Sequence, residues 1–176
     1  MVSETSRALA DGPAVAEVDH PLLTTVGLFA EAHAGLGALL ERELEREHGL
    51  SGQRFEVLVR LVRSPGHRLR MSDLAAQTTL SASGLTRVVD RLVAEGLVER
   101  AACPSDRRGS FAVLTAAGEA RILAALPGHV AQITELLEAA FEPPDLERFG
   151  ALLRTLRDSV NPEAERASRT ESCDPA

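Results

Sequence analysis

The stretch "RLRMSDLAAQTTLSASGLTRVVDRLVAEGLVER", residues 68–100, decides the fold. Ser72 is a cap for a short helix over 73–79, with Asp73 in the first turn, where negative charge is favoured. Leu74 and Ala75 face inward. A brief polar turn containing Ser81 and Ser83 leads into a second helix over about 82–95. There Leu85, Val88, Val89 and Leu92 recur at i, i+3, i+4 and i+7, which makes one apolar face. Gly96 ends it. The opposite face carries Ser83, Thr86, Arg87, Asp90 and Arg91, with Arg87 and Arg91 one turn apart and pointing the same way. A short helix, a tight turn and a longer helix with an arginine-bearing polar face form the helix-turn-helix pattern.

Reading outward, "LVERAA" (97–102) and "SFAVLT" (110–115) are two short strands around "CPSDRRG" (103–109). Phe111 and Val113 share one strand face, Ala112 and Leu114 the other. Pro104, Ser105, Asp106 and Gly109 are turn formers at the tip. A hairpin directly after a helix-turn-helix is a wing. Upstream, a helix from about His20 to His48 places Leu22, Val26, Phe29, His33, Leu36 and Leu40 on one face. Gly49 takes the left-handed position that stops it, Leu50 packs back, and Ser51 caps the next helix, about 52–64. That helix buries Phe55, Leu58, Val59 and Val62 and stops at Pro65–Gly66. Downstream, Thr115 caps a helix to about 140 bearing Leu126, Val130, Ile133, Leu137 and Phe141, which Pro127 and Gly128 are expected to kink or interrupt. A last helix, about 145–160, sets Leu146, Phe149, Leu153, Leu156 and Val160 in a seam of the kind one helix offers another. The expected fold is mainly α with a small β wing: a tail over 1–18, an N-terminal helix within 19–50, a winged helix-turn-helix over 51–115, C-terminal helices over 116–160 and a second tail over 161–176.

Composition agrees. The 176 residues suit one domain of ordinary size, and with 3% aromatics, no Trp and no Tyr, the core must be Leu, Val, Ile and Ala. Leu and Ala favour helices over a β-sandwich. Two cysteines, Cys103 and Cys173, make no disulfide framework. The N-terminus lacks the basic start and apolar run of a signal peptide, and no uninterrupted apolar run approaches the roughly 20 residues of a membrane span. The expectation is a cytoplasmic protein with no membrane partner.

The chain is acidic, net −7, yet residues 53–110 hold ten arginines and six acids, a local +4 that leaves −11 for the rest. All 19 basic residues are arginine, whose planar fork suits phosphates and base edges. A basic middle between acidic flanks predicts one anion-binding face. Its candidate residues are Ser81 in the turn, Ser83, Thr86, Arg87 and Arg91 on the second helix of the unit, Arg70 as a phosphate clamp before the first, and Arg107 and Arg108 at the wing tip. Asp90 can orient Arg87 or Arg91. Asp106 is read as pairing with Arg100 or Arg107 to hold the wing in shape beside Gly109. The bland alternatives are chance clustering of charge and a solvated helix face.

Other sites are weaker. Cys103, near three arginines, could act as a redox group on the wing, against the plainer reading of a small strand residue. His33, on the apolar face of the first helix, is read as a satisfied core histidine or a ligand contact. The five histidines show no metal spacing, so no structural metal and no cofactor is expected. Neither a Gly-rich phosphate loop nor G-x-S-x-G is present, which argues against an enzyme.

Residues 20–160 resemble the MarR family of bacterial winged helix-turn-helix regulators. The resemblance is most specific over "LAAQTTLSASGLTRVVDRLVAEGLVERAACPSDRRGSFAVLTAAGEA", residues 74–120, which holds "VDRL…GLV.R", "P.DRR" and "LT..G" in order and correctly spaced. It implies a homodimer joined through its first and last helices and bound to a pseudo-palindromic operator in double-stranded DNA. Each recognition helix would enter a major groove, and Arg108 falls where the family's minor-groove arginine lies. It further implies a repressor released by a small, phenolic or anionic, effector. The alternatives from other classes are an oxidant-responsive regulator acting through Cys103 and a dimeric interaction module without DNA binding. Gly128 and Pro127 depart from the family's continuous helix.

Overall fold

The computed structural model describes residues 17–103 and 106–162; of Cys103 and residues 106–109 it describes the backbone. Residues 1–16 and 163–176 of the expected tails, Cys173 among them, and the side chains of Cys103, Asp106, Arg107 and Arg108 therefore lie outside the described parts. The elements in chain order are α1 (Pro21–His48), α2 (Gly52–Arg63), a 3₁₀ turn (Pro65–His67), β1 (Arg68–Arg70), α3 (Met71–Gln77), α4 (Ala82–Ala94), β2 (Val98–Cys103), β3 (Asp106–Leu114), α5 (Ala116–Glu138) and α6 (Pro143–Val160).

The chain divides after Leu39 into two compact units. In the first, α1 exposes Leu22, Leu23, Val26, Leu28 and Phe29. The apolar run that sequence reading discounted as a span is, by length and composition alone, long enough to cross a membrane, although Glu31 and His33 interrupt it.

In the second unit the core is aliphatic apart from Phe55. Leu44, Leu50, Leu58, Leu61, Leu74, Leu85, Val89, Leu92, Leu114 and Ile122 form one buried cluster. Gly49 stops α1 with φ +57, and Leu50 N–H donates to the Leu44 carbonyl at 3.3 Å, so Leu50 turns back into the core as expected. The second helix buries Val57 and Leu61 along with Phe55 and Leu58, while Val59 and Val62 are only half-buried. The core stripe of α2 is therefore rotated from the one predicted.

The sheet has three antiparallel strands in the order β1-β3-β2. The local pattern predicts only two of them, the wing strands. Strand β1 is three residues long, too short for alternation to register, and exists because Leu69 pairs with Ala112 across it. Strand β3 begins at Asp106, four residues before the predicted start, so Arg107, Arg108 and Gly109 belong to a strand rather than to the turn. Phe111 is buried away from the helical core, with the Arg68 and Arg70 guanidinium carbons each 5.5 Å from its ring centroid.

Two local expectations are corrected. The short helix starts at Met71 with Arg70 at its cap position, so Ser72 lies inside the first turn, where its hydroxyl donates to Asp73 at 3.3 Å. The pairing of β1 with β3 places the chain for an earlier start. Helix α5 runs through Pro127 uninterrupted. Proline removes one donor, that for the Leu123 carbonyl, and Leu123 is exposed, so water can take that bond. The face of α5 that enters the core is Gly118, Ile122 and Ala125; the predicted stripe leaves Leu126, Ile133 and Leu137 half-buried and Val130 exposed.

Candidate nucleic-acid interface

Helix α4 is set by its own ends. Ser81 is its cap, its hydroxyl accepting from Gly84 N–H at 3.2 Å, and the Gly96 backbone at φ +73 releases the chain into β2. Leu85, Val89 and Leu92 are buried, which turns the rest of the helix outward. Ser81, Ser83, Thr86, Arg87, Asp90 and Arg91 are all exposed, as the periodicity predicted. The Thr86 hydroxyl donates to the Ala82 carbonyl at 3.0 Å and keeps its acceptor lone pairs outward. Neither Arg87 nor Arg91 makes an ion pair with a described residue, so two cations one turn apart face solvent.

Asp90 does not orient those arginines. It accepts from Arg100 at 2.8 Å, tying the polar edge of α4 to strand β2 of the wing. The expected pairing of Asp106 with Arg100 or Arg107 falls on a side chain outside the described parts; Arg100 itself donates to Asp90 on the neighbouring helix. Arg70 sits at the start of α3, its guanidinium against Phe111. The wing residues Asp106, Arg107, Arg108 and Gly109 lie on β3 by backbone, with their side chains outside the described parts. His33 is exposed on α1 rather than in a core.

Several residues had no local sequence signal. Glu56 of α2 reaches the turn between α3 and α4, and its carboxylate accepts from the Thr79 N–H and hydroxyl, each at 3.1 Å. Arg54 donates to Glu95 at 2.9 Å and to the Gly49 carbonyl at 2.8 Å. Between α1 and α5 a cavity of about 70 Å³ is lined by Glu43, Glu47, His48, Gly128, His129 and Gln132. The His129 ring lies against Phe55 at 4.3 Å, and its buried Nδ1 has no described partner. Burial first, and the neighbouring His48 second, hold His129 below the ordinary imidazole pKa. Among the described residues no group of three or more His, Cys, Asp or Glu is placed to hold a metal ion.

A tri-helical unit closed by a three-stranded sheet, with a short helix, a turn and an arginine-faced helix ahead of a hairpin, is a winged helix-turn-helix protein. Comparison with known proteins narrows the class. The sequence model of the MarR family matches residues 48–109. The chain is 33% identical over 90 residues to the HTH-type transcriptional repressor YetL of Bacillus subtilis, covering 51% of this chain and 54% of YetL. It is 32% identical over 115 residues to the HTH-type transcriptional regulator MhqR of the same organism, covering 65% of this chain and 77% of MhqR. The fold superposes with a TM-score of 0.72 on Sco3205, a MarR family transcriptional regulator from Streptomyces coelicolor solved in complex with DNA, at 33% identity over 78% of this chain and 86% of that one. The chain belongs to the MarR family and is a DNA-binding transcriptional regulator.

Proposed function

We propose that the protein is a homodimeric repressor that reads a pseudo-palindromic operator with α4 and releases it when a small effector binds. The observation that carries the DNA reading is the exposed face of α4, where Arg87 and Arg91 stand one turn apart without a described ion-pair partner. An arginine fork can bridge guanine O6 and N7, and the hydroxyls of Ser81, Ser83 and Thr86 suit phosphates or base edges. Arg70 is assigned to a phosphate. Arg107 and Arg108 are assigned to the wing, where a cation entering a narrow minor groove meets concentrated negative potential. Asp90 and Arg100 fasten wing to helix.

The dimer reading rests on unpartnered apolar faces. Leu22, Val26 and Phe29 of α1 are exposed, as are Leu152, Leu156 and Val160 of α6, and such patches mark interaction sites. Repression is carried over from YetL, which is named a repressor. The effector reading is supported by the cavity beside His129, where Leu44 lines the wall together with charged and polar side chains.

The test is fluorescence anisotropy on duplexes tiled across the protein's own upstream intergenic region at low and moderate salt. Tight binding to one imperfect palindrome, falling steeply as salt rises through counterion release, is the expected result. Equal weak binding to every duplex would favour the interaction module. With an operator in hand, a panel of phenols and aromatic carboxylates tests release, and peroxide tests Cys103.

A further inference from the structure

We propose that Arg54 and Glu56, two residues apart near the start of α2, are positioning residues that set the angle at which α4 meets DNA; this rests on α4 being the helix that reads the operator. Apolar packing through Leu85, Val89 and Leu92 fixes how deeply α4 sits, but contacts between aliphatic side chains are non-directional. Direction comes from charge-assisted hydrogen bonds, and α2 supplies them at both ends of α4.

At the entrance, both Glu56 oxygens are engaged by Thr79, one by its N–H and one by its hydroxyl, two residues before the Ser81 cap. At the exit, Arg54 Nη1 donates to Glu95, the C-cap residue of α4. A carboxylate there faces the negative end of the helix dipole and is unfavourable alone. Arg54 supplies the countercharge. Its other donors are held by the Gly49 carbonyl at 2.8 Å and by Ser51 Oγ at 3.4 Å, so the guanidinium cannot follow Glu95 outward. Only 16% of the Arg54 side chain is exposed, whereas Arg87 and Arg91 stand in solvent. Two anchored points on one rigid helix define the axis of the other, and a DNA-reading helix needs a defined axis because several side chains must reach base edges together.

The experiment compares wild type with Glu56→Ala, Glu56→Gln, Arg54→Ala and Arg54→Lys. Readouts are affinity for the tightest tiled duplex, affinity for a scrambled duplex of equal length at low salt, and the melting temperature. The expected result is a loss of about tenfold or more in specific affinity for both alanine variants, with scrambled-duplex affinity within about twofold of wild type. Glu56→Gln should recover most of the loss, because an amide still accepts from the N–H and donates to the hydroxyl. Arg54→Lys should recover part, since one ammonium cannot serve both Glu95 and Gly49. Unchanged specificity in the alanine variants overturns the proposal. So does a parallel fall in specific affinity, scrambled affinity and melting temperature without rescue by Gln, which would mark a merely structural role. A wild type that prefers no duplex would instead remove the DNA reading itself.

Discussion

At the scale of single residues, cations exposed on this acidic chain differ from cations that are engaged. Arg54 and Arg100 are held by Glu95 and Asp90, while Arg87 and Arg91 face water. The assignment of Arg108 to the wing gives a direct test: Arg108→Ala should weaken operator binding by about 1–3 kcal/mol, read by anisotropy, with helicity and dimerisation unchanged. Unaltered affinity would take Arg108 out of the mechanism. His129 gives a second. Its pKa is lowered in the folded protein by burial and by His48, so the unfolded chain binds the proton more readily. Stability should be fully present above the ordinary value of 6.5 and decline as pH falls below it toward the folded value. Urea midpoints at pH 7.5 and 5.5 measure this, and His129→Gln should shrink the difference. An equal difference in the variant would place the proton elsewhere.

At the scale of elements, the turn from β3 into α5 explains a motif that sequence reading could only match. Thr115 accepts from Gly118 N–H at 3.0 Å and donates to the Gly96 carbonyl at 2.8 Å, so one hydroxyl caps α5 and ties it to the end of α4. A Cβ on Gly118 would fall 2.0 Å from the Leu97 carbonyl oxygen. Backbone cannot yield that far, so Gly118→Ala should cost about 3 kcal/mol or more, visible as a lower denaturant midpoint. A variant as stable as wild type would mean that α5 can be displaced there at little cost. The helices and the wing strands were legible because their apolar positions repeat at 3.6 or 2 and their caps are chemically marked. Strand β1 and the start of α3 were not, since three residues carry no period and a cap can be replaced by strand pairing. The rotated stripe of α2 has the same origin: Val57, Leu58, Val59, Leu61 and Val62 are all apolar, and only the neighbours of the helix choose among them.

At the scale of the whole molecule, the apolar surface left on α1 and α6 is the feature to be explained. A second copy of the chain is the proposed occupant. Sedimentation equilibrium should report a dimer, and Leu156→Glu should shift it toward monomer by placing a carboxylate in an apolar seam. Persistence of the dimer would move the interface off α6. Recovery of the wild-type protein in the membrane fraction would favour a lipid partner for α1 instead.

The sequence by itself determined the order of elements, the helix-turn-helix and wing, the exposed face of α4 and the family, because each is written in local periodicity, caps and a spaced motif. Only the tertiary structure decided what holds that face in place. Arg54 with Glu95, Glu56 with Thr79 and Asp90 with Arg100 are separated in the chain by 41, 23 and 10 residues. The cavity beside His129 likewise joins α1 to α5. A charge in sequence shows its sign and its helix face, but its partner is chosen by which distant segment the packed core brings within about 3 Å.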